Sequence, residues 1–445
     1  MGEKEITRRD FLKGMFAPSS NVKMTYRTDS HGENVSLLGY GMMRLPTVDG
    51  KHANGWAKGA SNNAIDQDLV NRQIDYALAH GVNYFDTSPV YCRGESERVT
   101  GIALSRHPRE TYRIATKLSN FHPSFHSFEK SKEMYEQSFK ALQTDYIDYY
   151  LLHSIGNDGF ETFSKRYLEN GVLDWLTGER EKGRIRNLGF SFHGDPRAFE
   201  WCIEHNDTYK WDFCQIQMNY IDWRHAKQVN ERNLDGEYLY TTLDALAIPI
   251  VIMEPLLGGR LAQFNQALAA NLVPLDPEAS MAKWAFRFAG HYPRVLTCLS
   301  GMTRMEHLEE NCEIFSPLEP LSQTELAALE RAAVAYVSGK IIPCTACDYC
   351  MPCPYGLTIP SIFKVWNTAC AEGWLPDEKE QTPAEFAANR TRFLRAMDAE
   401  VPAARQPAHC VTCGLCAPHC PQTIQIPSEM VKIDQFIENL KNTIA

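Results

Sequence analysis

The chain has 445 residues, 44% hydrophobic and 22% charged, a composition that supports one large globular domain plus a smaller one and excludes disorder as the default state. A formal net charge of −10 argues against nucleic acid or anionic lipid as a partner, since both need a surplus of Lys and Arg on some face. No stretch reaches the roughly 18 to 20 uninterrupted apolar residues of a membrane-spanning helix.

Residues 1–34 read as a leader-like segment. Thr7-Arg8-Arg9-Asp10-Phe11-Leu12-Lys13 resembles the twin-arginine export signal. Only Gly14 to Pro18 follow before the chain turns polar at Ser19, short of the apolar run of about 7 to 15 residues that export requires. A cytoplasmic location is expected, with export as the alternative.

From residue 35 to 301, short β-branched runs alternate with longer amphipathic stretches, the pattern of parallel strands joined by helical crossovers. Eight strands are predicted: Val35–Gly41, Asn83–Asp86, Tyr112–Lys117, Ile147–His153, Asn187–Ser191, Phe213–Gln217, Ile250–Glu254 and Val295–Gly301. Helices are expected between them, for instance over Asp66–His80 and Ser131–Leu142. Eight strand–helix repeats suit a closed (β/α)8 TIM barrel. The alternative, an open doubly wound sheet, would announce its dinucleotide site with G-x-G-x-x-G after the first strand. Leu38-Gly39-Tyr40-Gly41-Met42 lacks that spacing.

Leu321–Val337 reads as a closing helix, so the barrel is expected over 35–337 and a second domain over 338–445. Within the latter, helices are predicted at Ile362–Trp374, Pro383–Glu400 and Pro427–Leu440.

Barrel enzymes place their chemistry at the C-terminal ends of the strands. Strand two ends in Asp86 with Tyr91 five residues on, strand three in Lys117 and strand four in His153. Each alone reads more readily as a structural side chain; together they suit carbonyl reduction. A hydride arriving at a carbonyl carbon leaves negative charge on oxygen, so the site must supply a proton and polarise that oxygen. Tyr91 is the candidate proton donor, Lys117 the ammonium expected to lower its pKa, Asp86 the counter-ion and His153 the group that orients the carbonyl.

In strand order and in the Asp-to-Tyr interval, these four residues resemble the catalytic tetrad of the aldo/keto reductase superfamily, and Gly94-Glu95-Ser96-Glu97 and Gly101 are similar to the family's pattern. The resemblance runs from about residue 35 to 335. It implies NADPH, or NADH, as cofactor and a small-molecule carbonyl as substrate. It also implies cofactor contacts at Gly41 and Gly301, at Ser191 and Gln215 on the nicotinamide carboxamide, at Leu256 and Gly258 along the pyrophosphate, and at Asn311 on the adenine. Thr303 and Arg304, with His307, stand where better-known members place Lys, Ser and Arg to read the ribose 2′-phosphate. Phe192-His193 follows Ser191 where the family often has Asn.

Eight of the fourteen cysteines fall in two runs after residue 343, which reads as metal binding, not a disulfide framework. Cys410, Cys413, Cys416 and Cys420-Pro421 have the spacing of a bacterial ferredoxin half-site; Cys344, Cys347, Cys350 and Cys353 have two residues, not three, before the last cysteine. If the ferredoxin arrangement holds, Cys344, Cys347 and Cys350 share one [4Fe-4S] cluster with Cys420, and Cys410, Cys413 and Cys416 share another with Cys353. Tetrahedral zinc is the competing assignment. After residue 35 the whole chain resembles the bacterial and archaeal members of the superfamily that carry a small, mainly helical ferredoxin-like tail.

Three functions follow. The first is a reductase whose two clusters exchange electrons with its site or with a redox protein partner. The second is a reductase whose tail is a structural or docking module. The third is a nucleotide-binding redox sensor, against which the intact tetrad argues, since binding alone needs neither Tyr91 nor Lys117.

Overall fold

The computed structural model describes residues 23–443 except 55–59, 231, 339–341, 343, 345–347, 349 and 421–423. The twin-arginine motif and Cys347 lie outside the described residues. Two compact units emerge, one of Met1–Gly259 with Ala285–Leu321 and one of Arg260–Trp284 with Ser322–Ala445.

The first unit is a closed barrel of eight parallel strands: β1 (Leu38–Gly41), β2 (Tyr84–Asp86), β3 (Arg113–Leu118), β4 (Ile147–Ile155), β5 (Ile185–Phe192), β6 (Phe213–Gln217), β7 (Ile250–Met253) and β8 (Val295–Ser300). They pair in chain order, and β8 closes on β1 through Cys298↔Leu38 and Ser300↔Tyr40. Parallel strands covered on both faces read as near-continuous apolar runs, and eight of the nine β4 residues are buried. The interior is filled by side chains including Tyr84, Tyr149, Leu151, Phe213, Val251 and Leu296.

The predicted first strand differs from the observed one. Residues Asn34–Ser36 pair antiparallel with Tyr26–Thr28, and the barrel strand begins only at Leu38. The break has a local cause: Ser36 N–H donates to Asn83 Oδ1, Ser36 Oγ accepts from Asn83 N–H, and Leu37 N–H bonds back to Thr25 O. Val35 of this hairpin packs in the barrel's core cluster, and Tyr149 Oη donates to Asp29 Oδ2 at 2.6 Å. The helices predicted from residues 66 and 131 run over Gln67–Ala79 and Phe128–Leu142; Asp66 and Ser127 accept backbone N–H bonds at their starts.

The second unit is built from helices and 3-10 turns. Gln323–Val337, Ile359–Ala371, Pro383–Glu400 and Ile426–Asn442 are its long helices. Three of them bury Trp366, Phe393, Met430 and Ile433 in one apolar core. Thr382 and Glu385 form a capping box that starts the third helix. Among the described residues no helix is long and apolar enough to cross a membrane.

Candidate active site

β2 ends at Asp86, Lys117 is the penultimate residue of β3, and β4 carries His153. Beyond β2 the chain enters a 3-10 turn at Tyr91, whose next residues Cys92 and Arg93 have φ of 51° and 58°. This left-handed excursion reverses the chain at the rim. The Tyr91 ring centre lies 5.0 Å from Lys117 Nζ and 5.8 Å, edge-on, from the His153 ring. The sequence-predicted four therefore converge. Asp86, Tyr91 and His153 line a cavity of about 520 Å³, with Phe121 as an aromatic wall 4.8 Å from His153.

Lys117 is 1% exposed and Asp86 3%. Lys117 Nζ donates to Asp86 Oδ1 and Oδ2 at 2.7 and 2.6 Å and to Thr87 O at 2.9 Å. Against the expectation that Lys117 pulls the phenol's pKa down, the net direction at Tyr91 is upward. Burial pushes Tyr91 well above its ordinary value, and Asp86, Glu254 and Cys92 push it further. Burial also lowers Lys117 and raises Asp86, while their mutual attraction opposes both. His153 is held well below its ordinary value by burial first, then by Lys117, Arg166 and His193. It is a neutral imidazole at physiological pH.

The expected cofactor residues divide. Gly41, Gln215 and Gly301 line the same cavity, and Gln215 Oε1 is buried there with no hydrogen-bond partner. Ser191 is buried, its Oγ accepting the Ser154 N–H at 2.7 Å. Leu256 and Gly258 belong to a loop in which Gly258 and Gly259 have φ of 68° and 93°. Thr303 Oγ1 donates to Arg44 O at 2.8 Å, Asn311 Nδ2 to Ser300 Oγ at 3.0 Å, and Arg304 is exposed at the start of helix Met305–Ile314. Those six residues are not part of the cavity wall.

Sequence reasoning missed Arg44 and His193, both in that wall. Arg44 Nη2 donates to Gly258 O at 3.3 Å, and its side chain lies where a Cβ on Gly301 would go. It puts a cation beside two of the expected cofactor glycines. The rule that pointed to Asp86 and His153 applies to Arg44 too, three residues past the end of β1.

In the second unit, Cys353, Cys410, Cys413 and Cys416 line one small pocket walled by Leu357, Ile359 and Met430. Burial, then neighbouring thiols, raise two of the cysteines: Cys350, with Cys344, Cys416 and Cys420 beside it, to about 11, and Cys416, with Cys410, Cys413 and Cys353 beside it. Among the described residues, no group of three or more His, Cys, Asp or Glu is arranged to hold a metal ion.

Residues 38–334 match a family model described as the aldo/keto reductase family. The chain is 28% identical over 331 residues to the L-galactose dehydrogenase of Arabidopsis thaliana, covering 68% of this chain and 91% of that protein. It is 28% identical over 366 residues to protein tas of Escherichia coli, covering 70% and 99%. Among solved structures, it resembles the holo form of aldo-keto reductase AKR11C1 from Bacillus halodurans (TM-score 0.55, 21% identity, 69% of this chain and 96% of that one). It also resembles an aldo-keto reductase from Klebsiella pneumoniae in complex with NADPH (TM-score 0.52, 20% identity, 69% and 95%). At these identities the structures speak to the fold.

Proposed function

The chain belongs to the aldo/keto reductase family, and from that premise we propose that it transfers hydride between NADPH and a small carbonyl compound in the cavity at the barrel rim. One observation carries the reading: a buried Lys117–Asp86 pair lies directly behind Tyr91 and His153 in a cavity whose wall also holds the unpartnered Gln215 Oε1.

The residues present fit a nicotinamide dinucleotide. Gln215 Oε1 is a ready acceptor for a carboxamide N–H, and Ser191 stands beside it, paired with it in register across β5 and β6. Leu256 and Gly258, with Arg44, would hold the pyrophosphate, and Arg304 with Thr303 the 2′-phosphate. Asn311 would meet the adenine and Gly41 and Gly301 flank the nicotinamide half. Bound NADPH supplies the hydride.

Tyr91 then gives its proton to the carbonyl oxygen as charge develops there. A phenol held high by burial keeps that proton until the transition state makes the oxygen more basic. Lys117, with Nζ 5.0 Å from the Tyr91 ring centre, stabilises the phenolate that remains through its positive charge. His153, neutral, hydrogen-bonds the carbonyl oxygen and orients it. The binary complex of Tyr91→Phe with NADPH is expected to form while turnover disappears; unchanged turnover would contradict the assignment.

The spacing of the two cysteine runs supports two thiolate-ligated [4Fe-4S] clusters as the tail's proposed cofactors. The proposed ligand sets are Cys344, Cys347 and Cys350 with Cys420, and Cys410, Cys413 and Cys416 with Cys353; Cys353 beside Cys416 and Cys420 beside Cys350 agree with the exchange, while Cys416 beside Cys350 shows the two runs close together. A cluster binds each thiolate at a separate iron corner, so its cysteines need not converge on one point as a single ion demands. Such clusters supply one-electron transfer, to the reaction or to a redox protein partner. Anaerobic addition of NADPH, followed by absorbance and EPR, tests coupling. Cluster reduction supports it. Full turnover in Cys410→Ser/Cys413→Ser, with clusters that never change state, makes the tail a structural or docking module instead.

A further inference from the structure

His153 is tied at Nδ1. Ser119 Oγ lies 2.5 Å from that nitrogen, Ser88 Oγ lies 2.8 Å from Ser119 Oγ, and Val90 N–H donates to Ser88 Oγ at 3.3 Å. Both serines are buried. The chain of bonds can be protonated in either direction. If Nδ1 carried the hydrogen and donated to Ser119, the Ser119 hydroxyl would turn either to Ser88, leaving the Ser88 hydroxyl hydrogen without an acceptor among the described residues, or to Lys117 O at 3.5 Å, the far limit of a hydrogen bond. In the reverse direction, Ser88 donates to Ser119, Ser119 donates to Nδ1, and every hydroxyl hydrogen is used. Only the reverse direction gives every hydroxyl hydrogen a short bond, which favours it over an unpaired buried donor or a 3.5 Å contact. The hydrogen then sits on Nε2, the nitrogen left for the cavity.

Behind His153 lies Arg166, 1% exposed. Its Nη2 donates to His153 O at 2.7 Å and to Tyr167 Oη at 2.7 Å, Nε to Asn120 Oδ1 at 3.1 Å and Nη1 to Ser154 O at 3.4 Å. All four acceptors are neutral, and a buried guanidinium without a carboxylate is an expensive thing to keep. Its plane also lies 4.7 Å from the Phe121 ring that walls the cavity. Tyr167 adds a second brace, accepting the His153 N–H at 3.0 Å and donating to Leu118 O at 2.8 Å. Both residues come from a π-helical turn, Ser164–Leu168, a rare conformation that recurs at functional sites.

We infer that Ser119 and Arg166 are positioning residues which hold His153 as the Nε2–H tautomer, aimed at the substrate oxygen. The inference rests on the carbonyl-reducing reading of the cavity. The groups facing His153 are Lys117, already neutralised by Asp86, then Arg166, His193 and the Tyr91 ring. The positive charge of Arg166 opposes a second proton on the ring.

The test uses the full-length protein labelled with 15N-histidine, the His153 signals being identified by their loss in His153→Gln. Wild type is expected to show a protonated Nε2 and an unprotonated Nδ1 at pH 7.5. In Ser119→Ala the ring is expected to exchange between tautomers and kcat to fall about tenfold, the size of one hydrogen bond's contribution, with KM within about twofold. Ser119→Thr is expected to restore both. Arg166→Met is expected to raise the His153 pKa and to add an acid limb to the kcat–pH profile. If that variant does not fold, the Ser119 pair still decides the matter. A protonated Nδ1 in wild type, or a Ser119→Ala protein with unchanged tautomer and kcat, overturns the inference. Should wild type reduce no carbonyl at all, the proposed activity fails while the NMR result still judges the tautomer.

Discussion

At the scale of single residues, the buried pair Lys117–Asp86 is the most exposed part of the account to test by stability. Lys117→Met leaves a carboxylate buried without its partner, which typically costs about 3–5 kcal/mol; urea unfolding should register the loss, and a change below about 1 kcal/mol would contradict the described pairing. The histidines set a pH dependence. Burial, then Lys117, lowers His193 to about 4, and His153 lies well below its ordinary value too. The unfolded chain releases both to about 6.5. Between those values the unfolded state binds more protons, so stability falls as pH drops from about 6.5 toward 4. Glu97, raised to about 7 by burial, works in the opposite sense across the range from 4.5 to 7. His193→Phe should therefore lose less stability than wild type between pH 7 and pH 5; equal losses would contradict a buried neutral His193. Asp86, Lys117 and His153 were legible because strand ends announce them. Ser119 and Arg166 were not, because a serine two residues past a lysine and an arginine in a helix carry no pattern until the fold brings them to one imidazole.

At the scale of elements, the barrel strands were legible because burial on both faces writes apolar runs into them. The hairpin Tyr26–Thr28/Asn34–Ser36 was not, since its strands are three residues long and Val35 runs into β1 without punctuation. Two elements give direct predictions. A Cβ on Gly189 in β5 would press onto the Phe213 carbonyl oxygen of β6, so Gly189→Ala should destabilise the barrel by about 1–3 kcal/mol. A variant with wild-type unfolding midpoint would show that β5 and β6 are not so closely joined. Thr382→Ala removes one half of the capping box and should cost about 1 kcal/mol in the second unit's own transition, checked by thermal melts followed by circular dichroism.

At the scale of the molecule, two different kinds of signal were readable. Cysteine spacing is a local property of the chain and survives without knowledge of the fold, whereas the proposed phosphate contacts depend on loops converging from β1, β7 and β8. Arg44 shows the difference: it meets Gly258 and Gly301 only once the barrel has closed. Arg44→Met should weaken NADPH binding about tenfold, a loss of one charge-assisted contact, measured by quenching of protein fluorescence; unchanged affinity would remove Arg44 from the cofactor path.

The central claim is direct hydride transfer in the Tyr91 cavity, and isotope transfer tests it. NADPH carrying deuterium at the transferable C4 position is incubated anaerobically with the full-length protein and a panel of aldehydes and ketones, and the alcohol is examined by mass spectrometry. The account predicts one deuterium on the carbinol carbon of the product, and no product with Tyr91→Phe. An alcohol that carries hydrogen from solvent at that carbon, or NADPH oxidation that proceeds without any carbonyl reduced, would contradict it.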